Sequence, residues 1–224
     1  MLIKIIETYH EMLFTAMGQT LLLAFVSLLV ASVLGLIFGI MNTMRNRTCK
    51  IIATIYVDAI RGWPLIVLAF FVYFGFPMFV KDVLQISGFR LSALQAGVIA
   101  LSLNCGAYMA EIIRAGILSV DVGQMEAARS LGMSYPRSMA RVVVPQAIRT
   151  MIPSIINQFI ITLKDTSILT VIGFPELTNT AKTISANTMR PLETWFITGV
   201  LYMVVILILS KLSKVAERKI NRGR

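Results

Sequence analysis

The stretch that decides the fold runs from Glu126 to Pro153 and reads EAARSLGMSYPRSMARVVVPQAIRTMIP. Its first six residues are mostly strong helix formers, Gly132 follows as a helix terminator, and Pro136 can open a second helix after Ser134. The stretch therefore predicts a short helix, a turn and a longer helix. An ordinary polar loop between two apolar segments fits these local preferences equally well, so its function depends on the rest of the chain.

The composition excludes a soluble globular protein. Of the 224 residues, 57% are hydrophobic and 14% are charged, and the mean hydropathy is +0.79. A soluble domain carries about a quarter charged residues. The net charge of +10 does not indicate nucleic-acid binding, because the basic residues lie mostly between and after apolar segments and are not interleaved with aromatic residues. We therefore predict an all-α membrane protein, with a single transmembrane domain over residues 1–224.

Five apolar segments are long enough to cross a bilayer, which takes about 20 residues of helix. Residues 1–12 precede them as an amphipathic lead-in expected at the membrane interface. Residues 164–190 are too polar to span and are expected to be re-entrant or interfacial. The predicted spans cover residues 14–42, 63–80, 91–113, 141–163 and 194–212, with a polar loop over 121–136.

The distribution of Lys and Arg predicts the orientation of the five spans. Basic residues number 14 in the 45–50 turn, the 114–149 segment and the C-terminal tail, against six in the N-terminus, the 81–90 loop and the 164–190 segment. Arg61 is left out of this count because it lies at the base of the second span. Since positive loops stay in the cytoplasm, the N-terminus is expected outside and the tail inside.

The first span carries small residues at four-residue steps, namely Ser27, Ala31, Gly35 and Gly39. This spacing lets two membrane helices approach closely. Bulkier apolar side chains occupy the other faces of the helix. We therefore expect the small-residue face to pack against protein.

Polar side chains lie in the third and fourth spans, where an unpaired amide is costly. Asn104 falls near the middle of the third span. It is expected either to form an interhelical hydrogen bond or to line a transport path. In the fourth span, Asn157 and Lys164 are seven residues apart, as are Gln158 and Asp165. Each pair shares a helix face after two turns, which predicts a polar ladder along one side of this span.

The EAA triplet, the glycine four residues later and the proline before the next span resemble the coupling loop of bacterial ABC import permeases. Further motifs look like the polar amino-acid uptake permeases of the histidine, glutamate, glutamine, arginine and opine type. The resemblance covers residues 12–215. These motifs are Arg61-Gly62-Trp63-Pro64-Leu65, Tyr108-Met109-Ala110-Glu111, Ser119-Val120, Gly123-Gln124, Pro145-Gln146-Ala147 and Leu163-Lys164-Asp165-Thr166-Ser167.

Two residues depart from the pattern of these permeases. Trp63 stands where a smaller residue, commonly Thr, is expected, and Ile168 stands where Leu is usual. Neither lies in the coupling loop, but Trp63 is bulky enough to reshape the surface that its helix faces.

The resemblance implies the fold of a type I ABC importer permease and a set of partners. A separate ABC ATPase subunit binds the ATP, so this chain needs no cofactor of its own. An extracytoplasmic amino-acid-binding protein delivers the cargo to the 81–90 and 164–190 segments, and a second permease subunit, identical or homologous, completes the path. The residues implied in ATPase coupling are Glu126, Ala127, Ala128 and Gly132.

The residues themselves carry no signature of an enzyme. There is no GxxxxGK[ST] phosphate loop, and the lone His10 excludes most nucleophile sets. Cys49 and Cys105 lie in different segments and cannot form a CxxC or four-ligand metal site. The alternative function is an ion-coupled secondary transporter, but such proteins often have ten or more spans in two repeats and carboxylates within the membrane.

A polar amino acid is the expected cargo. Because desolvating its ammonium and carboxylate requires opposite partners, Asp165 is expected to meet the ammonium and Lys164 the carboxylate. The competing interpretation is that these two charges neutralise each other, or a neighbouring helix, at the membrane surface. The sequence does not select which side chain the cargo amino acid carries. The predicted substrate path comprises Asn104, Asn157, Gln158, Lys164, Asp165 and Thr166.

Overall fold

The computed structural model describes residues 2–44 and 46–221, with side chains described except at residue 213 and residues 216–221. Within this part, the regular structure is helical and no strand occurs. The α-helices are α1 (Leu2–Thr43), α2 (Arg47–Gly62), α3 (Leu65–Phe70), α4 (Phe76–Val83), α5 (Ala93–Leu118), α6 (Val122–Ser130), α7 (Tyr135–Ser138), α8 (Val144–Asp165), α9 (Leu177–Thr188) and α10 (Pro191–Asn221).

Five helical stretches of the described chain are long and apolar enough to cross a membrane, as the sequence predicted. π-Helical segments join α3 to α4 and α7 to α8, and a 3₁₀ helix follows α8. Hydropathy marks only the most apolar part of each stretch, so the helices extend beyond several of the predicted spans. The five stretches are Leu2–Thr43, Leu65–Val83, Ala93–Leu118, Tyr135–Ile172 and Pro191–Leu212.

The N-terminal lead-in is continuous with the first span, because α1 runs without a break from Leu2 to Thr43. Its buried side chains include Ile5 and Leu13, which pack in one cluster with Leu177 of α9. The lead-in was predicted as an interfacial element of its own. In the structure it is the first part of a 42-residue helix, because its apolar residues continue the contact with other helices.

The small-residue face of α1 packs against α5, as predicted for a protein-facing surface. All four of its small residues are buried. A Cβ built on Gly39 would lie 2.8 Å from Cβ of Ile113, and the corresponding contact of Gly35 is with Met109. Residue numbers rise together along both helices, so α1 and α5 run parallel, at a separation that only small side chains allow.

Helix α8 runs antiparallel to α5 and completes the central packing. Gly116 of α5 approaches Met151 of α8, while Cys105, further back along α5, lies beside Gln158 and Thr162. The loop with α6 lies at one end of this bundle, here called the α6 end. The segment with α9 lies at the other end, here called the α9 end.

Helix α2 lies against both α1 and α5. Asn46 caps its N-terminus by accepting hydrogen bonds from Thr48 N and Cys49 N. The Tyr56 hydroxyl donates a 2.9 Å hydrogen bond to the Leu103 carbonyl of α5. Helix α2 ends at Gly62 because Pro64 follows and has no N–H to continue the backbone hydrogen bonds of the helix.

Candidate coupling surface and transport path

Helix α6 and its turn have the geometry that the sequence predicted. The Asp121 carboxylate caps the start by accepting a 2.7 Å hydrogen bond from Gly123 N. At the other end, Met133 N donates to Ala128 O at 3.2 Å, and Gly132 adopts φ +82°. This is a Schellman termination, in which the left-handed residue after the helix is best filled by glycine.

The predicted coupling residues do not all face outward. Glu126, Ala127 and Gly132 are exposed, whereas Ala128 is buried with 4% exposure. The expectation that Ala128 forms part of a docking surface needs correction, because its methyl group faces the body of this chain. A rigid helix necessarily turns one of two adjacent alanines away from a partner.

Sequence reasoning missed two exposed apolar residues on the same segment. Leu131, just before the glycine turn, is 84% exposed, and Val122 at the start of α6 is 70% exposed. They flank Glu126 and Ala127 along the chain. The signal that could have found them is a large apolar residue at each end of a short polar helix, where neither a lipid-facing nor a core position is expected.

Helix α6 is attached to the start of α8. The Gln146 amide of α8 lies 3.3 Å from the Gln124 side-chain oxygen of α6 and also donates to Val142 O at 2.9 Å. Arg129 ties the turn together by donating to Met133 O at 2.8 Å. Helix α6 is therefore in contact with the start of α8, the helix that carries most of the predicted path residues.

The polar ladder on α8 divides into two faces. Asn157 and Lys164 are exposed, whereas Gln158 is buried and Asp165 is half-buried. Thr166, at the start of the 3₁₀ helix, is fully buried. The predicted pairing of positions seven residues apart is therefore present, with one pair turned toward the bundle and the other away from it.

Several polar groups within the bundle lack partners. Asn104 is 7% exposed and its side chain forms no hydrogen bond within the described chain, whereas Gln158, 6% exposed, lies against the Cys105 thiol. The Thr162 hydroxyl is buried without a partner, as is that of Ser27 on α1. Of the two roles predicted for Asn104, the absence of an interhelical bond within the described residues favours a polar path. Unpaired buried groups are otherwise costly.

The adjacent charges at the end of α8 form no direct ion pair. No ion pair within 4.0 Å joins Lys164 and Asp165, or joins either to another described residue. The Asp165 carboxylate is half-buried while the Lys164 ammonium is exposed. The contacts within the described chain therefore do not support the competing interpretation of mutual neutralisation.

A model of the binding-protein-dependent transport system inner membrane components matches residues 31–222. The chain belongs to this family. The permease is 38% identical over 202 residues to the arginine transport system permease ArtQ of Bacillus subtilis, covering 90% of this chain and 89% of that protein. It is 36% identical over 203 residues to the glutamine transport permease GlnP of Escherichia coli K12, covering 91% and 90%. It is 38% identical over 220 residues to the nopaline transport permease NocM of Agrobacterium fabrum, covering 97% and 90%.

Solved structures agree with this membership. The permease superposes with a TM-score of 0.87 on a chain of an amino acid ABC transporter crystallised with histidines, at 39% identity and 96% coverage of both chains. A chain of the MetNI methionine ABC transporter gives a TM-score of 0.79 at 18% identity, covering 96% of the permease and 98% of that chain. The second likeness shows the fold alone. The expected fold, a type I ABC importer permease with five membrane helices, is confirmed.

The permease also contains a buried carboxylate that sequence reasoning missed. Glu176 is fully buried and caps α9, where Oε1 accepts from Asn179 N and Oε2 from Thr178 N, both at 2.7 Å. Oε2 also accepts a 3.0 Å hydrogen bond from the Tyr202 hydroxyl of α10. Burial raises the pKa of Glu176, while these hydrogen bonds oppose that shift.

Glu176 connects the α9 end of the permease to three helices. Besides its bond to α10, the next residue, Leu177, donates its N–H to the Thr20 hydroxyl of α1 at 3.1 Å. Asn179 accepts from Thr170 of the 3₁₀ helix at 3.3 Å. The network fixes the segment that follows Asp165 and Thr166. Glutamate is not among the residues preferred at helix N-caps, so the sequence Pro175-Glu176-Leu177 gave no local signal of this role.

Proposed function

We propose that this permease is the transmembrane subunit of an ATP-driven ABC importer for polar L-amino acids. The observation that carries the proposal is the contact of the exposed α6 segment, through Gln124 and Gln146, with a helix that carries the buried polar side chains of Gln158 and Thr162. The names of the relatives, which transport arginine, glutamine and nopaline, support amino acids as the cargo class.

A separate ATPase subunit supplies the energy in this proposal. It binds the ATP, and the permease contributes no catalytic residue. The contact surface is the exposed part of α6 with its turn, where Glu126 and Ala127 lie between Val122 and Leu131. Closure of two ATPase subunits moves α6 as a rigid body and, through its contacts, the start of α8. Family membership favours this arrangement over ion-coupled secondary transport.

A second permease subunit, identical or homologous, faces the exposed polar side of α8. Asn157 lies within a membrane-spanning helix, yet its side chain is exposed in the single chain. Lys164, two helical turns further along the same face, is exposed as well. Such groups are not stable against lipid chains, so they face protein or a water-filled path. Self-association of the purified chain in detergent, without any homologous partner, distinguishes a homodimer from a heterodimer.

The cargo path follows α8 and the adjoining face of α5. Asp165 is half-buried and free of an ion pair within the described chain, so its carboxylate is available to the substrate ammonium. Gln158 and Asn104 offer amide groups further into the bundle, and Thr166 continues the polar surface. Asn157 and Lys164 contribute from the face turned toward the second subunit, with Lys164 available to the substrate carboxylate.

Orientation follows from the charge distribution. The α6 end is cytoplasmic, with the C-terminal tail, and the N-terminus is external. A binding protein then docks at the α9 end, on the 81–90 and 164–190 segments. Lys182 and Arg190 are exposed there, with Arg190 3.5 Å from Glu193. Crosslinks from Lys182 to a binding protein test this assignment, and full-rate uptake without any binding protein contradicts it.

Reconstituted vesicles test the whole proposal. The permease, its ATPase and its binding protein are assembled, and a panel of labelled amino acids is offered with ATP, with an ion gradient alone and with neither. We expect uptake that requires ATP and is indifferent to the gradient. Uptake driven by the gradient alone indicates the secondary transporter instead. Competition within the panel identifies the side chain that the permease prefers.

A further inference from the structure

Arg61 forms no direct ion pair with a described residue, although the Glu111 carboxylate lies near enough to interact with its charge. It lies at the end of α2, with its guanidinium carbon 5.2 Å from the centre of the Tyr108 ring on α5. No ion pair within 4.0 Å joins Arg61 to any described residue. Asp58, one turn earlier on α2, does not pair with it. The ring holds the cation by its π face but does not cancel the charge.

The neighbouring charges on α5 are already satisfied. Arg114 binds Glu111 with two hydrogen bonds, one from Nε to Oε2 at 2.9 Å and one from Nη2 to Oε1. This fork geometry uses both oxygens of the carboxylate. Because Arg114 engages both oxygens of Glu111, the Arg61 guanidinium keeps its donors free for another carboxylate.

This charge lies just before the second membrane-spanning stretch, beside the middle of the membrane-spanning helix α5. Tyr108 is about 22 Å along α5 from its first residue, at 1.5 Å per residue. Arg61 is exposed in the single chain. An arginine at this depth faces protein or a water-filled path, because contact with lipid chains is too costly. The Arg61 surface is therefore part of the same interior that the unpaired groups of α5 and α8 line.

The helix face beneath Arg61 contains a predicted path residue. Asn104, Tyr108 and Glu111 follow one another at steps of four and three residues, so they share one side of α5. The guanidinium lies over the middle member of this row. A substrate that passes Asn104 on its way to the α6 end next meets Arg61.

The contacts between α5 and α8 give the depth of Arg61 relative to Asp165. Cys105 lies beside Gln158 and Thr162, and Gly116 lies beside Met151. With this antiparallel register, Asp165 is level with about residue 100 of α5. Tyr108 is then roughly 12 Å closer to the α6 end. The two contacts are therefore assigned to successive positions of the substrate along the path.

We propose that Arg61 binds the α-carboxylate of the amino acid in the part of the path between Asn104 and the α6 end, with Tyr108 orienting its guanidinium. The inference rests on the proposed function and adds a residue and a second contact point to it. Arginine suits this role because its planar donors match both oxygens of a carboxylate. No bond is made or broken; the carboxylate exchanges water for the guanidinium and then leaves.

The test measures substrate binding without a binding protein. The permease–ATPase complex is placed in nanodiscs, and the probe is whichever of L-arginine, L-glutamine and L-histidine the wild type takes up fastest. Its decarboxylated amine, agmatine, 4-aminobutanamide or histamine, is the matched ligand without a carboxylate. The variants are Arg61→Gln and Arg61→Lys, with Arg47→Gln at the exposed start of the same helix as the control.

We expect Arg61→Gln to weaken binding of the amino acid about tenfold or more and to leave binding of the amine unchanged. Arg61→Lys keeps the positive charge but loses the planar pair of N–H donors. Its affinity for the amino acid is therefore expected to lie between those of the wild type and Arg61→Gln. Tyr108→Phe keeps the ring and binds like the wild type, whereas Tyr108→Leu resembles the lysine variant. The Arg47→Gln control binds like the wild type. These variants keep the test informative if Arg61→Gln fails to assemble.

Other outcomes overturn the inference. Equal losses for the amino acid and the amine show a structural role for Arg61, and so does unchanged binding of both. Recovery of Arg61→Gln by neutralising a carboxylate of the second permease subunit shows an intersubunit ion pair instead. Undetectable binding to the wild type also contradicts it. Failure of the proposed function is separate, since it appears as wild-type vesicles that take up no amino acid with ATP and binding protein present.

Discussion

Gly35 of α1 lies so close to Met109 of α5 that a Cβ built on the glycine would be 2.5 Å from the Met109 Cβ. Non-bonded carbon atoms approach to about 3.5 Å at best. The two parallel helices therefore meet at a separation that only glycine permits here. Met109 is one residue beyond Tyr108, so this contact also fixes the helix face on which the proposed carboxylate contact depends.

The Gly35–Met109 contact predicts a large effect of a single methyl group. Gly35→Ala forces the helices apart or displaces Met109, and we expect it to destabilise the permease by about 1–3 kcal/mol. Gly18→Ala is the matched control on the same helix, because a Cβ there meets nothing within 4 Å. Thermal unfolding in detergent measures both. Equal melting temperatures for the two variants contradict the close packing.

The Gly132 turn predicts a defect confined to coupling. A Cβ on Gly132 meets nothing within 4 Å, but its φ of +82° is unfavourable for a β-branched residue. We expect Gly132→Val to cost about 1–2 kcal/mol locally and to raise the ATP hydrolysed per amino acid transported. Gly132→Asn, which tolerates this conformation better, is the control. Normal assembly and an unchanged hydrolysis ratio for the valine variant exclude the coupling role.

The unpaired Asp165 predicts a loss of transport when its charge alone is removed. Asp165→Asn preserves the shape, so a direct contact with the substrate ammonium weakens uptake about tenfold or more, corresponding to about 1.4 kcal/mol. Asp58→Asn is the control, since Asp58 is exposed on α2 and forms no ion pair within the described chain. Unchanged uptake by a normally assembled Asp165→Asn complex moves the ammonium contact to Asn104 and Asn157.

The buried Glu176 predicts a pH-dependent stability. Burial raises its pKa above the ordinary value of 4.5, so the folded state retains the proton to higher pH than the unfolded state. This contribution to stability is fully present below pH 4.5 and is lost as the pH rises through the folded pKa. Glu176→Gln does not titrate. We therefore expect the wild-type melting temperature to fall relative to this variant as the pH rises from 4.5 toward neutrality.

Melting curves over this pH range measure the Glu176 effect, at about 2–4 °C for each kcal/mol. Glu7→Gln, at an exposed position of α1, is the matched control and is expected to follow the wild type. Parallel curves for the wild type and Glu176→Gln show that the carboxyl group titrates alike in the folded and the unfolded states, which contradicts a raised pKa in the folded state.

The sequence by itself determined the features that depend on local chemistry. An apolar stretch of about 20 residues is excluded from water wherever it lies, so composition alone predicted five membrane-spanning helices. Glycine is favoured where φ is positive, so Gly132 could be recognised as a turn residue. The small-residue repeat of α1 predicted close packing because its four-residue period places every member on one side of the helix.

Only the tertiary structure decided which way each side chain faces and what it meets. Helical periodicity gives the angle between two residues but not the direction of either, so it could not show that Gln158 points into the bundle and Asn157 away from it. The same ambiguity concealed the burial of Ala128. The roles of Glu176 and Arg61 depend on contacts with helices that are distant in sequence. The free-energy cost of a charge is set by these neighbours and by its depth in the membrane. A local sequence pattern records neither.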